Sequence, residues 1–180
     1  MTAPVALPTT SWGNPSAARR ALLVHGLGSS GDLMWRFGVA LAEAGWHATA
    51  VDLRGHGSAP RALDYTSDAY ASDLSVVTPG TGGSWDLVVG HSLGGASAVV
   101  AAEANASWVS HLVLIDPAIS LIEADREIVR TSQERSFAAS SVEDVAALNP
   151  TWHPQDIELK ARATQLASRY AVEQTSIQNT

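Results

Sequence analysis

Trp85-Asp86-Leu87-Val88-Val89-Gly90-His91-Ser92-Leu93-Gly94-Gly95-Ala96 is the stretch on which the reading of this 180-residue chain turns. Trp85 to Val89 is a short, mainly apolar run of the kind that forms a buried strand, and the small residues from Ala96 to Ala104 predict a helix packed closely on a sheet. Between them, Gly90 to Gly94 has G-x-S-x-G spacing in the strand-turn-helix context that gives this motif meaning. A turn this sharp forces Ser92 into a strained backbone and turns its hydroxyl out of the sheet edge. Glycines two residues to either side let strand and helix approach closely. The following helix aims its positive end at the same point. The Leu93 amide can then donate to an oxyanion, and Leu27, in an earlier glycine-rich loop, offers a second amide. The alternative is a glycine-rich turn holding an incidental serine.

Outward from this stretch, strands and helices alternate. Arg20 to His25 is an apolar run that enters the loop His25-Gly26-Leu27-Gly28, and Leu33, Phe37, Ala40, Leu41 and Ala44 recur at helical spacing from Asp32 to a Gly45 cap. Trp46 to Val51 is the next strand. It is followed by the turn Asp52-Leu53-Arg54-Gly55-His56-Gly57, a helix carrying Tyr70, Leu74 and Val77, and the breaker Pro79 to Gly83. His111 to Ile115 forms a further strand, and any earlier strand comes from Val5 to Trp12. Alternation with continuous apolar strands predicts an α/β fold with a parallel sheet covered on both faces. No apolar strand run appears after Pro117. Leu121 to Thr180 reads as helices and loops, with a helix start at Ser141 and Asp144, a break at Pro150, and Leu159, Ala163, Leu166 and Tyr170 at helical spacing.

His25-Gly26-Leu27-Gly28, Asp52 to Gly57, Gly90 to Gly95 and Leu112-Val113-Leu114-Ile115-Asp116-Pro117 resemble, in order and spacing, successive signatures of the α/β-hydrolase family. The resemblance covers Arg20 to Ala118. It implies an α/β-hydrolase core over residues 1–119 and a helical cap over 120–180, with the last strands of the fold missing from the 180 residues. It further implies acyl transfer through a Ser92 ester, with the Leu27 and Leu93 amides as oxyanion hole, and a serine at this position disfavours the aspartate-nucleophile branches. In this family the acid and then the histidine follow the serine in sequence, from strands beyond the cap.

The chain's six histidines offer no evident replacement for that last residue. His47 and His111 begin their strands, about five residues at ~3.3 Å each, or ~16 Å, from the carboxyl edge where ligands bind. His91 should point away from Ser92, and His56 should tie its own glycine turn together. His25 and His153 could approach Ser92 or form the rim of a pocket. Asp116 ends its strand on the correct edge and is either the acid or a carboxylate capping the chain's exit. Gly26, Trp152 and Trp35 could line an acyl pocket, with core packing as the alternative for the tryptophans.

Composition limits the remaining classes. A net charge of −7 with no basic cluster argues against nucleic acid and anionic membrane as partners, and favours a small neutral or cationic ligand. The absence of cysteine removes disulfides and thiolate metal sites. No metal-ligand pattern or phosphate-binding loop occurs, so no cofactor is expected. Met1 to Pro8 has no signal-peptide character, which makes the cytoplasm the expected location. The expected function is a serine hydrolase of small ester-like substrates, nearly inactive as this chain alone. The alternatives are a non-catalytic ligand-binding or interaction module, or an inactive fragment of such a hydrolase. The bare edge of the His111–Ile115 strand invites self-association.

Overall fold

In the computed structural model the apolar runs pair as parallel strands: β2 (Arg19–Val24) lies between β3 (Trp46–Val51) and β4 (Trp85–His91), and β5 (Val109–Ile115) flanks β4. The structure describes residues 3–80 and 82–179. Met1, Thr2, Thr81 and Thr180, assigned from sequence to the amino-terminal stretch, the Pro79–Gly83 breaker and the polar tail, lie outside the described residues. The Val5–Trp12 segment contributes β1 (Thr9–Trp12), which joins β3 antiparallel and gives the order β1-β3-β2-β4-β5.

Alternation along the central strands builds two cores, because successive side chains point to opposite faces. Leu22, Val24, Val51 and Val88 face α2 (Ser67–Ser75) and α3 (Leu93–Ala104), where Tyr70, Leu74, Ala98 and Ala101 complete a buried cluster. Ala21, Leu23, Ala48, Ala50 and Val89 face the other way, toward Met34 in a 3-10 turn (Gly31–Met34) and Leu41 in α1 (Trp35–Glu43). The expected apolar stripe of α1 is thus only partly used. Gly38 is pressed so closely on the Trp12 indole that no Cβ would fit, while Phe37 is 44% exposed. Gly45 takes the left-handed conformation, φ 80°, expected of a helix stop.

Coverage of both sheet faces, expected throughout, fails at β5. This strand pairs only with β4 among the described residues, and Val113 and Leu114 remain 46% and 36% exposed. Beneath α2 lies a charge pair that composition does not reveal. Arg54 Nε donates to Asp73 Oδ2 at 2.6 Å with both side chains fully buried, and the Val5 amide donates to Asp73 Oδ1 at 2.7 Å.

Past β5 the chain forms α4 (Glu123–Ala138), α5 (Val142–Leu148), α6 (Pro154–Leu166) and α7 (Arg169–Gln178). Ser141 and Asp144 make the reciprocal capping box at α5, which ends before Pro150. The single period from Leu159 to Tyr170 divides into two helices, because Ala167 is extended and Ser168 caps α7 by accepting from the Ala171 amide. The Ser168 amide donates to the Gly55 carbonyl at 2.8 Å, and the Ala171 methyl packs where a side chain on Gly55 would stand. A tertiary hydrogen bond therefore overrides the local period. No helix among the described residues is long and apolar enough to cross a membrane.

Candidate active site

At the end of β4 the chain reverses into α3 through Ser92, whose φ of 49° and ψ of −117° are a conformation that side chains rarely adopt. The neighbouring glycines explain how so sharp a turn packs. A Cβ on Gly90 would lie 2.7 Å from the Gly95 Cα, and one on Gly94 would collide with the Val24 and His25 carbonyl oxygens. The turn is held from below by the Ser92 amide donating to the Ile115 carbonyl at 3.0 Å, and the Ala118 amide donates to the Ser92 carbonyl at 3.2 Å. Leu93 opens α3, so its N–H has no intrahelical acceptor. The Leu27 N–H likewise donates to no protein group among the described residues.

The loop from His25 to Gly28 stands across from this turn, and buried histidines hold it. Gly26 approaches so closely that a Cβ there would sit 2.8 Å from His91 Nδ1 and 3.2 Å from the Ser92 Cβ. His25 donates from Nδ1 to the Gly26 carbonyl at 2.7 Å and accepts at Nε2 from the Leu53 amide at 3.0 Å. His56 donates from Nδ1 to the Arg54 carbonyl and accepts at Nε2 from the Gly28 amide at 3.1 Å. Each ring thus bridges the 25–28 loop and the 52–57 turn, and each must be neutral to accept an N–H. Burial, reinforced by the neighbouring His56 ring, lowers His25 to about 3, and burial also lowers His56. The turn's remaining polar residue, Asp52, accepts from the Gly31 and Ser58 amides.

The carboxy-terminal helices reach the same loop from outside. Gln133 of α4 donates from Nε2 to the Leu27 carbonyl at 3.3 Å, and Lys160 of α6 donates to the Gly28 carbonyl at 3.1 Å, with its ammonium lowered by burial. Neither residue carries a sequence signal, since each lies in a helix with a weak apolar stripe.

Ser92 borders a cavity of about 580 Å³. Leu27, Leu93, Ala96, Ala118 and Val129 form its apolar part, while Thr66, Ser67, Arg126, Gln178 and Asn179 form its polar part. Ser92, Leu27 and Leu93 are therefore brought together, but the other candidate residues are not. His25 lies wholly buried with both ring nitrogens engaged, which removes it both as a surrogate base and as a ligand contact. Gly26 backs onto His91 and Ser92 outside the lining.

Trp152 and His153 stand at the start of α6 rather than in the cavity. Asp156 draws that end of the helix onto α1 by accepting from Trp35 Nε1 and Arg36 Nη2, each at 2.7 Å. His153 caps the helix and packs at a tilt of 49° against the Trp35 ring, with ring centroids 5.8 Å apart. Asp116 follows β5 with φ 43°, exposed and outside the lining. No histidine lines the cavity. No group of three or more histidines, aspartates or glutamates suited to a metal ion occurs among the described residues.

Sequence and structure comparisons agree with this fold. Residues 22–172 match the profile of the alpha/beta hydrolase fold family. The chain is 40% identical over 107 residues to lipase LipV of Mycobacterium tuberculosis, a match covering 59% of this chain and 40% of that protein. It is 28% identical over 147 residues to N-formylmaleamate deformylase of Pseudomonas putida, covering 78% of this chain and 54% of that protein. The crystal structure of N-formylmaleamic acid deformylase Nfo from Pseudomonas putida S16 superposes with a TM-score of 0.78 at 25% identity, over 96% of this chain and 69% of the other. The chain thus spans about half the length of these two curated relatives, 40% of one and 54% of the other.

Proposed function

Because the chain belongs to the α/β-hydrolase fold family, we propose that Ser92 is the nucleophile of a serine hydrolase that cleaves a small ester or related acyl bond. The observation that carries this reading is the backbone of Ser92 itself, a non-glycine residue at φ 49° that borders a cavity beside two amides without protein partners among the described residues. Strain of this kind costs of order 1–3 kcal/mol and persists where a site requires it. Attack by the Ser92 oxygen forms a tetrahedral oxyanion that the Leu27 and Leu93 amides stabilise; its collapse breaks the bond to the alcohol or amine, which leaves carrying the serine's proton, and water then splits the acyl-serine into the acid and free Ser92. The four carboxy-terminal helices act as a cap over 120–180. That two relatives carry the names lipase and N-formylmaleamate deformylase supports a reading as an acyl hydrolase.

The proton acceptor is not among the cavity's lining residues, so this chain alone should turn over slowly. Loss of the histidine from a serine triad costs about 10⁶ in turnover. A fluorophosphonate probe tests the assignment. Ser92 should label slowly and the reaction should accelerate with added imidazole, which the cavity admits as a substitute base. Labelling should vanish in Ser92→Ala. No labelling of Ser92 even with imidazole would remove the nucleophile. Fast labelling without imidazole, abolished by His153→Ala, would show that the chain carries its own base and overturn the prediction of slow turnover.

A further inference from the structure

We propose that the cavity is an acyl site for an anionic substrate, with Arg126 as the residue that binds a carboxylate borne by the acyl chain. The inference rests on the reading of Ser92 as nucleophile and narrows its substrate class.

Arg126 is the one cation among the lining residues, and it shares the cavity with Ser92. It is half-buried in the first turns of α4, where partial desolvation strengthens any charge it meets. Its carboxylate neighbours leave it without an ion pair among the described residues. Glu123 and Asp125 precede it on the helix, and Asp68, the one acidic lining residue, is exposed at the start of α2. No salt bridge joins Arg126 to any of the three. Nη1 is used on the Asn179 carbonyl at 2.9 Å, which fixes the guanidinium against α7 and leaves the other N–H groups to a ligand. A guanidinium held in this way presents the planar donor pair that a carboxylate accepts in bidentate form.

The rest of the cavity suits such a molecule. Besides Ser92 and Arg126 the lining holds aliphatic side chains, among them Leu27, Leu93 and Val129, and the hydroxyl and amide groups of Thr66, Ser67 and Gln178, so one cavity offers an acyl chain both apolar and polar contacts. A volume of about 580 Å³ is ample for a four-carbon diacid half-ester. The net charge of −7, which at long range favours neutral or cationic ligands, is screened beyond about 8–10 Å at physiological salt, so the local arginine decides.

Monomethyl succinate and dimethyl succinate, titrated into the 180-residue Ser92→Ala protein and followed by amide NMR shifts, separate charge from shape. The half-ester should bind about tenfold or more tightly than the diester, the usual scale for a charge-assisted hydrogen bond. Arg126→Gln should erase the preference, and Arg126→Lys should retain part of it. Unchanged urea midpoints would show both variants folded. Equal binding of the two esters, no binding of either, or a preference that survives Arg126→Gln would overturn the proposal. Fluorophosphonate labelling of the unmutated serine reports on the nucleophile separately. A charge preference without labelling would remove the hydrolase reading and keep the anion site, and labelling without a charge preference would do the reverse.

Discussion

Lowering the pH from 7.5 to 5.0 should destabilise the fold through the two histidines that hold the 25–28 loop, before any carboxylate titrates appreciably. His25 is held at about 3 in the folded protein by burial and by the adjacent His56 ring, against about 6.5 in an unfolded chain. Between those values the unfolded chain carries a proton on His25 that the folded chain does not. Stability therefore rises with pH in this window and falls as pH drops from 6.5 toward 3. For His25 alone the loss between pH 7.5 and 5.0 is about 2 kcal/mol. His56, lowered by the same burial, adds in the same direction. Asp156 and Glu127 are also lowered, by hydrogen bonds from Arg36 and Arg130, so their contributions are lost only below the ordinary carboxylate range. With a urea slope of about 2 kcal/mol/M, the His25 loss moves the midpoint down by about 1 M, readable by tryptophan fluorescence. Imidazole NMR gives the direct measurement, since the ring protons of His25 should stay flat from pH 8 to 5 while the protein is folded, and those of His56 should titrate below the ordinary histidine value. Either ring titrating near 6.5 in the native state, or equal urea midpoints at the two pH values, would refute the argument.

Three further outcomes are expected. Arg54→Met should destabilise by about 3–5 kcal/mol because it leaves Asp73 charged and buried, whereas Arg54→Met with Asp73→Leu should recover most of the loss; equal urea midpoints for single and double variants would contradict this. Ser92→Gly should raise stability by about 1 kcal/mol by relieving the positive φ while ending probe labelling, and Gly94→Val should prevent folding because its side chain meets the Val24 and His25 carbonyls. A cooperative, wild-type-like melt of Gly94→Val would count against the close strand-helix contact. The open edge of β5, with Val113 and Leu114 exposed, should drive concentration-dependent self-association in size-exclusion chromatography, and a monomer at every concentration would show that the edge is protected.

What the sequence determined by itself is local and periodic. Apolar runs, helical spacing, Gly90, Gly94 and the strained position between them specify four parallel strands and the Ser92 turn, because strand burial and a sharp strand-to-helix turn each require particular residue types at fixed spacing. Leu27 and Leu93 were legible for the same reason, since loop and turn supply backbone amides whatever their side chains do. Tertiary structure alone decided everything that depends on pairing across long separations. His25 and His56 became buried struts because their ring nitrogens meet the Leu53 and Gly28 amides. The helix expected to run through Leu166 and Tyr170 breaks because Ser168 finds the Gly55 carbonyl. Trp152 and His153 leave the cavity because Asp156 binds Trp35 and Arg36, 121 and 120 residues away in sequence. Arg126 enters it because Asn179, at the end of α7, accepts its hydrogen bond. No period or motif encodes these partners, since a hydrogen bond between distant segments depends on where the whole chain brings donor and acceptor, and only the folded backbone fixes that.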